Sequence, residues 1–244
     1  MVSYELFVGI PSYNAASSVA GILKDLDGNP RVRTVILVDD ASQDDTQRIL
    51  SQPKFRKLHY VRNPSNLGYG ASVKVLFSEF QKISSNPNDL LIIVHADGQM
   101  PVDEIPLFTQ AYEKGGVDLV MGSRMLAGLR AQLGNRSLFR ILSDYLLTKT
   151  QNFLYGLSVS TYAIGYRAFR REALERLNVE ACDKGFNFDT EIILEAKRAG
   201  LRTLEIPVRT VKSAQASNNQ LSRYAWGSVK TFFKYGPYLI RKRR

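Results

Sequence analysis

Leu91-Ile92-Ile93-Val94-His95-Ala96-Asp97-Gly98-Gln99 joins a short run of Leu, Ile and Val to a polar, glycine-containing turn. Such a run, bounded by turn residues, reads as a strand buried on both faces of a parallel sheet. Open α/β sheets collect ligands outside the carboxyl ends of their strands, so the turn after Val94 is a candidate site. Asp97 offers a hard oxygen suited to Mg²⁺ or Mn²⁺. His95 offers a nitrogen that Mn²⁺ accepts and Mg²⁺ rarely does. The same turn also suits a plainer role, with Asp97 capping the next helix and His95 satisfied in the core.

Outward from this stretch, strand-like and helix-like segments alternate. Strands are expected at Tyr4–Ile10, Thr34–Val38, Leu58–Val61, Leu90–Val94 and Asp118–Met121. Helical patterns lie between them at Ser17–Leu26, Asp44–Leu50, Gly70–Gln81 and Val102–Lys114. This rhythm predicts βαβ crossovers, and hence a mainly parallel, Rossmann-like α/β sheet with helices on both faces. After Gly122 the pattern changes to a long helix over Leu138–Leu154, the segment Ala163–Phe169, a helix over Phe188–Ala199, a strand over Thr203–Val208 and a last helix from Leu221. No repeat or low-complexity linker divides the chain. A single domain is expected over 1–211, with a nucleotide-binding half (1–124) and an acceptor half (125–211), followed by a basic segment over 212–244.

Composition narrows the class. The chain has 244 residues, enough for a good core, and ordinary apolar and charged fractions of 44% and 23%. No apolar run approaches the roughly 18 residues of a membrane span. No charged-then-apolar leader precedes Tyr4, and Cys182 is the single cysteine, so a reducing, cytoplasmic setting is expected. The net charge of +10 is unevenly distributed: residues 196–244 hold 12 Lys and Arg against one acid, Glu205, a net of +11. Such asymmetry points to a polyanionic surface, either nucleic acid or an anionic membrane.

The strand ends gather polar residues on one edge. They are Pro11-Ser12-Tyr13-Asn14, then Asp39-Asp40-Ala41-Ser42, then Asn63 leading to Gly68-Tyr69-Gly70, then His95-Ala96-Asp97, then Gly122-Ser123-Arg124. Adjacent carboxylates at a strand end are costly without a partner, so Asp39 and Asp40 are read as acceptors for a base imide or ribose hydroxyls. Asp44 and Asp45 are read as helix caps. Arg124 offers a fork of donors to phosphate oxygens. Acidic strand ends repel nucleic-acid phosphates, so no nucleic-acid partner is expected.

Six ordered motifs now stand together: the four around Pro11, Asp39, Asn66 to Gly70 and His95, then Gly122-Ser123-Arg124 and Gly165-Tyr166-Arg167-Ala168-Phe169-Arg170-Arg171. In this order they resemble family 2 glycosyltransferases, and the dolichyl-phosphate mannose synthase-like branch most of all. The resemblance implies a GT-A fold, a UDP- or GDP-linked sugar donor, a divalent metal (Mg²⁺ or Mn²⁺) and inversion at the anomeric carbon. It implies that Pro11, Tyr13, Asn14, Asp39, Asp40, Gly68, Ala96 and Gln99 line the donor, with Asp97 and His95 at the metal and Arg124 on the phosphates. Arg136 stands where the branch has an acceptor-phosphate arginine, with Arg140 and Lys212 adding charge. Three departures stand out: His95 replaces the usual Asp, Ala15 replaces an acidic residue, and Lys212 to Asn219 replaces a Gly-Glu-Ser-Lys signature.

A polyprenyl phosphate acceptor, as in that branch, is ionised near neutral pH and attacks without a general base, leaving catalysis to positioning and charge. A sugar-hydroxyl (glycan) acceptor needs a base, for which Asp189 and Glu191 are the candidates. Their spacing of two does not put both on one helix face. In the last segment Leu221, Tyr224, Ala225, Val229, Phe232 and Phe233 fall on one helical face, and Arg223, Lys230 and Lys234 on another. This is the pattern of a helix at a membrane interface, so the protein is expected on the inner face of the membrane. The competing readings are a catalytically impaired relative, suggested by His95, and a basic nucleic-acid- or membrane-binding protein.

Overall fold

The computed structural model describes residues 3–52, 54–128, 132, 137–209, 211 and 227–236. The strands are β1 (Leu6–Ser12), β2 (Val32–Asp39), β3 (Leu58–Arg62), β4 (Leu90–Ile93), β5 (Leu119–Ser123), β6 (Arg167–Arg170) and β7 (Thr203–Pro207). The helices are α1 (Val19–Gly28), α2 (Thr46–Leu50), α3 (Tyr69–Ile83), α4 (Ile105–Glu113), α5 (Leu138–Tyr155), α6 (Arg171–Glu175) and α7 (Phe188–Arg198), with a last helix, α8, over residues 227–236. The expected helix over Val102–Lys114 instead begins as a 3₁₀ turn, Val102–Glu104. Pro106 in the first turn of α4 sets that join, since its ring fits only where no N–H is needed.

The seven strands form one sheet in the order β3-β2-β1-β4-β6-β5-β7. Side chains alternate between its faces as strand geometry demands. Leu6, Val8, Ile10, Ile92 and Val94 pack with α1 and α4 through Val19, Leu23, Leu26 and Phe108. Phe7, Ile36, Val38, Leu91 and Ile93 pack on the other face with α3 and α7 through Val73, Leu76, Phe77, Phe80, Phe188 and Ile192. Cys182 lies in this second layer, and burial pushes its thiol up to about 12, which leaves it an inert packing residue.

All pairings are parallel except those of β6, which runs antiparallel between β4 and β5. Register sets Arg167 beside both Ile93 and Met121, so this basic residue lands where β4 and β5 end. The half beyond residue 124 thus contributes β6 and β7 to the same sheet as the first half.

Asp118 pins this insertion. Its buried carboxylate accepts from Arg170 (2.6 Å), from the Arg202 amide (3.0 Å) and from the Arg202 guanidinium. Burial pushes the carboxyl upward, but the Arg202 hydrogen bonds and the charges of Arg170 and Arg202 outweigh it and hold Asp118 below the ordinary carboxylate range. Asp118→Ala is expected to lower the unfolding free energy by about 1.5–3 kcal/mol in urea titrations, because Arg202 loses its partner and Arg170 keeps only Glu172. With a depressed folded value, the contribution of Asp118 is present above its unfolded value near pH ~3.9 and fades as pH falls toward its folded one.

Candidate active site at the carboxyl ends of the strands

The loop after β1 is built from hydrogen bonds to the loop after β2. Asn14 takes a positive φ of 50°; its amide donates to the Ser42 hydroxyl (2.9 Å) and its side-chain oxygen accepts from the Gln43 amide (2.8 Å). Asp44 accepts from the Ala16 and Thr46 amides, so it joins these loops as well as bracing the start of α2. Asp45 makes no cap bond and pairs with Arg48 at the surface. Tyr13 is left exposed beside this frame, and Pro11 closes β1 as a buried residue.

The two acidic residues at the end of β2 turn inward. Asp39 accepts from the Ser42 amide (2.9 Å), the Tyr60 hydroxyl (3.1 Å) and Arg62, its register neighbour on β3. Asp40 accepts from the Asn63 side chain (2.7 Å) and from the amides of Leu67 (2.9 Å) and Gly68 (2.8 Å). Both carboxylates, expected to meet a nucleoside directly, are buried and committed to protein donors. The costly pair at the strand end is satisfied by a loop clamp.

That clamp delivers Tyr69. Gly68 has φ +96°, and a side chain there would meet the Lys184 carbonyl; one at Gly70 would meet Phe188 and the backbone of Asp183 and Gly185. These glycines let the start of α3 lie against the 183–188 segment, whose Lys184 carbonyl accepts from the Ala71 amide (3.0 Å). The Tyr69 hydroxyl then donates to Asp189 Oδ1 (3.2 Å) and contacts His95 Nε2 (3.1 Å). Burial, then the Asp189 charge, pushes this phenol well above its usual range, so it stays protonated and its O–H remains a donor. Because that proton goes to Asp189, the Tyr69 oxygen is the acceptor that favours a hydrogen on His95 Nε2, the tautomer that keeps a lone pair on Nδ1.

Asp189 also holds buried Arg167, whose Nη1 donates at 3.1 Å, while Nη2 reaches the Tyr162 carbonyl. Glu191, two residues on, faces elsewhere: it accepts from the Asp183 amide (2.9 Å), from Thr231 (2.9 Å) and from Lys234 of α8. Tyr69, Gly165 and Arg167 form the centre of the site with His95 and Asp189. Their motifs were legible, but no local spacing announced that they meet.

Asp97 stands at the rim, half-buried. Its Oδ1 accepts from the Gln99 amide (3.0 Å), and Oδ2 accepts from none of the described residues. Gly98 turns with φ +74°, and the Ala96 carbonyl accepts from Ser18. The Val211 amide donates to the Gln99 carbonyl (3.0 Å), so the chain leaves the described residues next to this turn. Among the described residues no three His, Cys, Asp or Glu side chains cluster as a complete metal cage. One open carboxylate oxygen and one imidazole nitrogen suit an ion that takes its remaining ligands from substrate phosphates and water. Arg124, after β5, donates to the Ala163 carbonyl in the loop before β6. Arg140 uses its amide to complete the Ser137 cap of α5, and its side chain makes no hydrogen bond to the described residues. Arg136 and Lys212 lie outside the described residues.

A mainly parallel sheet with an antiparallel insertion and an aspartate turn at its carboxyl edge is the architecture of GT-A glycosyltransferases. Among solved structures, glucosyl-3-phosphoglycerate synthase from Mycobacterium tuberculosis in complex with Mg²⁺ and UDP matches with a TM-score of 0.70 at 15% identity, covering 95% of this chain and 79% of that one. Mannosyl-3-phosphoglycerate synthase from Rubrobacter xylanophilus matches with a TM-score of 0.67 at 16% identity, covering 95% and 73%. At these identities the likeness is one of fold. Residues 7–177 match the family model described as Glycosyl transferase family 2, and the chain belongs to that family: it is a glycosyltransferase. It is 28% identical to the polyprenol monophosphomannose synthase of Mycolicibacterium smegmatis over 82% of this chain and 74% of the relative. It is 28% identical to the undecaprenyl-phosphate mannosyltransferase of Micrococcus luteus over 83% and 82%.

Gly165 makes room for the His95 ring, since a Cβ there would fall on Nε2 and lie 2.5 Å from the Tyr69 hydroxyl. Gly165→Ala is therefore expected to cost about 1–3 kcal/mol of stability through overpacking. His95→Ala in the same chain should restore part of that loss, since the Tyr69 hydroxyl still lies 2.5 Å from the new methyl. Additive losses in denaturant titrations of the double variant would refute the steric coupling.

Proposed function

We propose that this glycosyltransferase moves a sugar from a nucleotide-sugar donor, UDP- or GDP-linked, to a polyprenyl phosphate of the dolichyl type, with inversion and with Mg²⁺ or Mn²⁺. The observation that carries the acceptor class is the state of Asp189. Asp189 Oδ1 is already shared between a buried guanidinium and a phenol O–H, which hold the carboxylate in a structural role. Glu191 is likewise tied to Thr231 and Lys234. A site whose two candidate bases are both engaged suits a nucleophile that arrives ionised, as a phosphate does. The two relatives, a polyprenol monophosphomannose synthase and an undecaprenyl-phosphate mannosyltransferase, support the same acceptor class.

In this reading the donor lies across the strand ends. Tyr13 and Asn14 meet its nucleoside on a floor that Asp39 and Asp40 hold rigid, with Pro11, Gly68, Ala96 and Gln99 along the path to the diphosphate. Asp97 and His95 would hold the divalent ion, which when bound would supply positive charge to the departing diphosphate. Tyr69 fixes the His95 tautomer, and Asp189 fixes Tyr69 and Arg167 in turn. Arg124 adds charge on the phosphate side, and Arg136, Arg140 and Lys212 receive the acceptor phosphate. None of the described helices is long and apolar enough to cross a membrane. We place the protein on the cytoplasmic side, peripheral to the membrane that holds its acceptor.

The direct test is transfer from a panel of UDP- and GDP-sugars to a polyprenyl phosphate in detergent, alongside thermal shifts with each donor. Asp97→Asn should lower transfer by about a thousandfold or more, while nucleotide without metal still stabilises the protein. Tight nucleotide binding without transfer for any donor and metal would identify an impaired relative instead.

The His95 role has its own readout. His95→Asp should shift the metal preference from Mn²⁺ toward Mg²⁺ in calorimetric titrations with nucleotide present. Tyr69→Phe should weaken Mn²⁺ binding about 10–100-fold in the parent chain and leave the His95→Asp variant unaffected. Unchanged metal preference in His95→Asp would assign the imidazole to the scaffold.

A further inference from the structure

Helix α5 is built inside out. Its exposed face carries Leu138, Phe139, Leu142, Tyr145 and Leu146, with Phe139 76%, Leu146 57% and Leu142 53% exposed. Its buried residues are Ile141, Thr148, Gln151 and Tyr155, so two of four are polar or amide side chains. The inward stripe continues through half-buried Arg140 and Asp144. A helix of a water-soluble domain turns its apolar stripe toward the core. Here 18 residues, roughly 27 Å of helix, do the reverse.

Helix α8 repeats the inversion. Ser228, Thr231 and Tyr235 are buried, whereas Phe233 is 74% and Val229 45% exposed. This corrects the stripe expected from the sequence, which grouped Val229, Phe232 and Phe233 as one face and left Ser228 and Thr231 unassigned. The polar sides of the two helices meet: Gln151 donates to the Ser228 hydroxyl (2.9 Å) and Tyr155 to the Ser228 carbonyl (3.1 Å), while Thr231 donates to Glu191 of α7 (2.9 Å). The rest of the expected stripe, Leu221, Tyr224 and Ala225, lies outside the described residues, as do Pro237 and Arg241 to Arg244.

We infer that the outward face of α5, flanked by Phe233 and Val229 of α8, docks flat on an anionic lipid bilayer. The inference takes only the membrane-borne acceptor from the proposed function and adds the surface that reaches it. Charge decides between a bilayer and a second copy of the chain. The only charged residue among the exposed positions of α5 is Lys149, whose ammonium lies 5.4 Å from the centre of the Tyr145 ring. α8 adds exposed Lys230 and no acid, while Lys234 is already paired with Glu191. A two-fold dimer would set this surface against its own copy and bring like charges together without a counter-charge. Anionic headgroups supply that counter-charge, and the apolar side chains enter the acyl boundary beneath them.

The test is flotation of the full-length chain with vesicles of phosphatidylcholine alone or mixed with phosphatidylglycerol, beside light scattering of the free protein. The parent chain should float with the mixed vesicles. Phe139→Glu and Leu146→Glu should each weaken this about tenfold or more, with the melting temperature and donor-induced shift unchanged because both side chains are exposed. Lys149→Glu should weaken binding to mixed vesicles only. Equal flotation of parent and variants would overturn the inference, as would a parent dimer that ignores vesicles and that Phe139→Glu converts to monomer. The proposed function fails separately: a chain that floats normally yet transfers no sugar to polyprenyl phosphate in detergent refutes that reading and leaves the docking surface standing.

Discussion

The ion pair between Arg167 and Asp189 is the contact on which the rest of the site depends. It joins β6, the antiparallel strand, to the first turn of α7, two elements whose pairing no local sequence feature requires. Both groups are nearly buried; Asp189 also accepts from a phenol and Arg167 also donates to a carbonyl, while Arg167 Nε meets no acceptor among the described residues. Removing either partner would strand a charge in the interior, at a cost of several kcal/mol, so the pair commits the sheet insertion and the helix to one relative position. Tyr69 and then His95 are placed by that commitment, since each is bonded to the group before it. The position of the His95 imidazole is therefore tied to a buried ion pair two hydrogen bonds away.

Much of the frame was legible. Runs of Ile, Leu and Val identified six strands within a few residues of their ends, and Asp97 stood out because a carboxylate directly follows a buried strand. The antiparallel β6 was not legible: it has only four residues, and its direction follows from pairing with β4 and β5 rather than from its own pattern. Asp39 and Asp40 show a subtler limit. Two adjacent carboxylates at a strand end do need partners, as the desolvation argument held, but that argument is silent on whether the partners are ligand or protein. Here Asn63, Leu67 and Gly68, 23 to 28 residues on, satisfy Asp40.

The contacts of Tyr69 mark where sequence reading stops. Its partners lie 26 and 120 residues away, and Gly165, which admits the His95 ring, carries no positive φ that would distinguish it from a glycine in an ordinary loop. Its need for a missing side chain is purely steric and arises from the packing of three separate segments. Helical periodicity has a related blind spot. It reports that a helix has an apolar stripe and how wide that stripe is, but not which way the stripe faces.

For α5 and α8 that direction is the informative quantity. In water, turning Phe and Leu outward while burying Gln, Ser and Thr costs apolar exposure and polar desolvation together, the opposite of what drives folding. Hydrogen bonds from Gln151 and Tyr155 to Ser228, and from Thr231 to Glu191 of α7, offset part of the second cost. The first cost remains as long as water covers Phe139 and Leu146, and only an apolar neighbour removes it. With the lipid acceptor we propose, the protein would meet such a neighbour each time it reached its substrate. The same helix pair is bound through Thr231 and Glu191 to α7, which carries Asp189. Docking through this pair would thus bear on α7 directly, with no flexible linker between the membrane-facing surface and the helix that anchors the site.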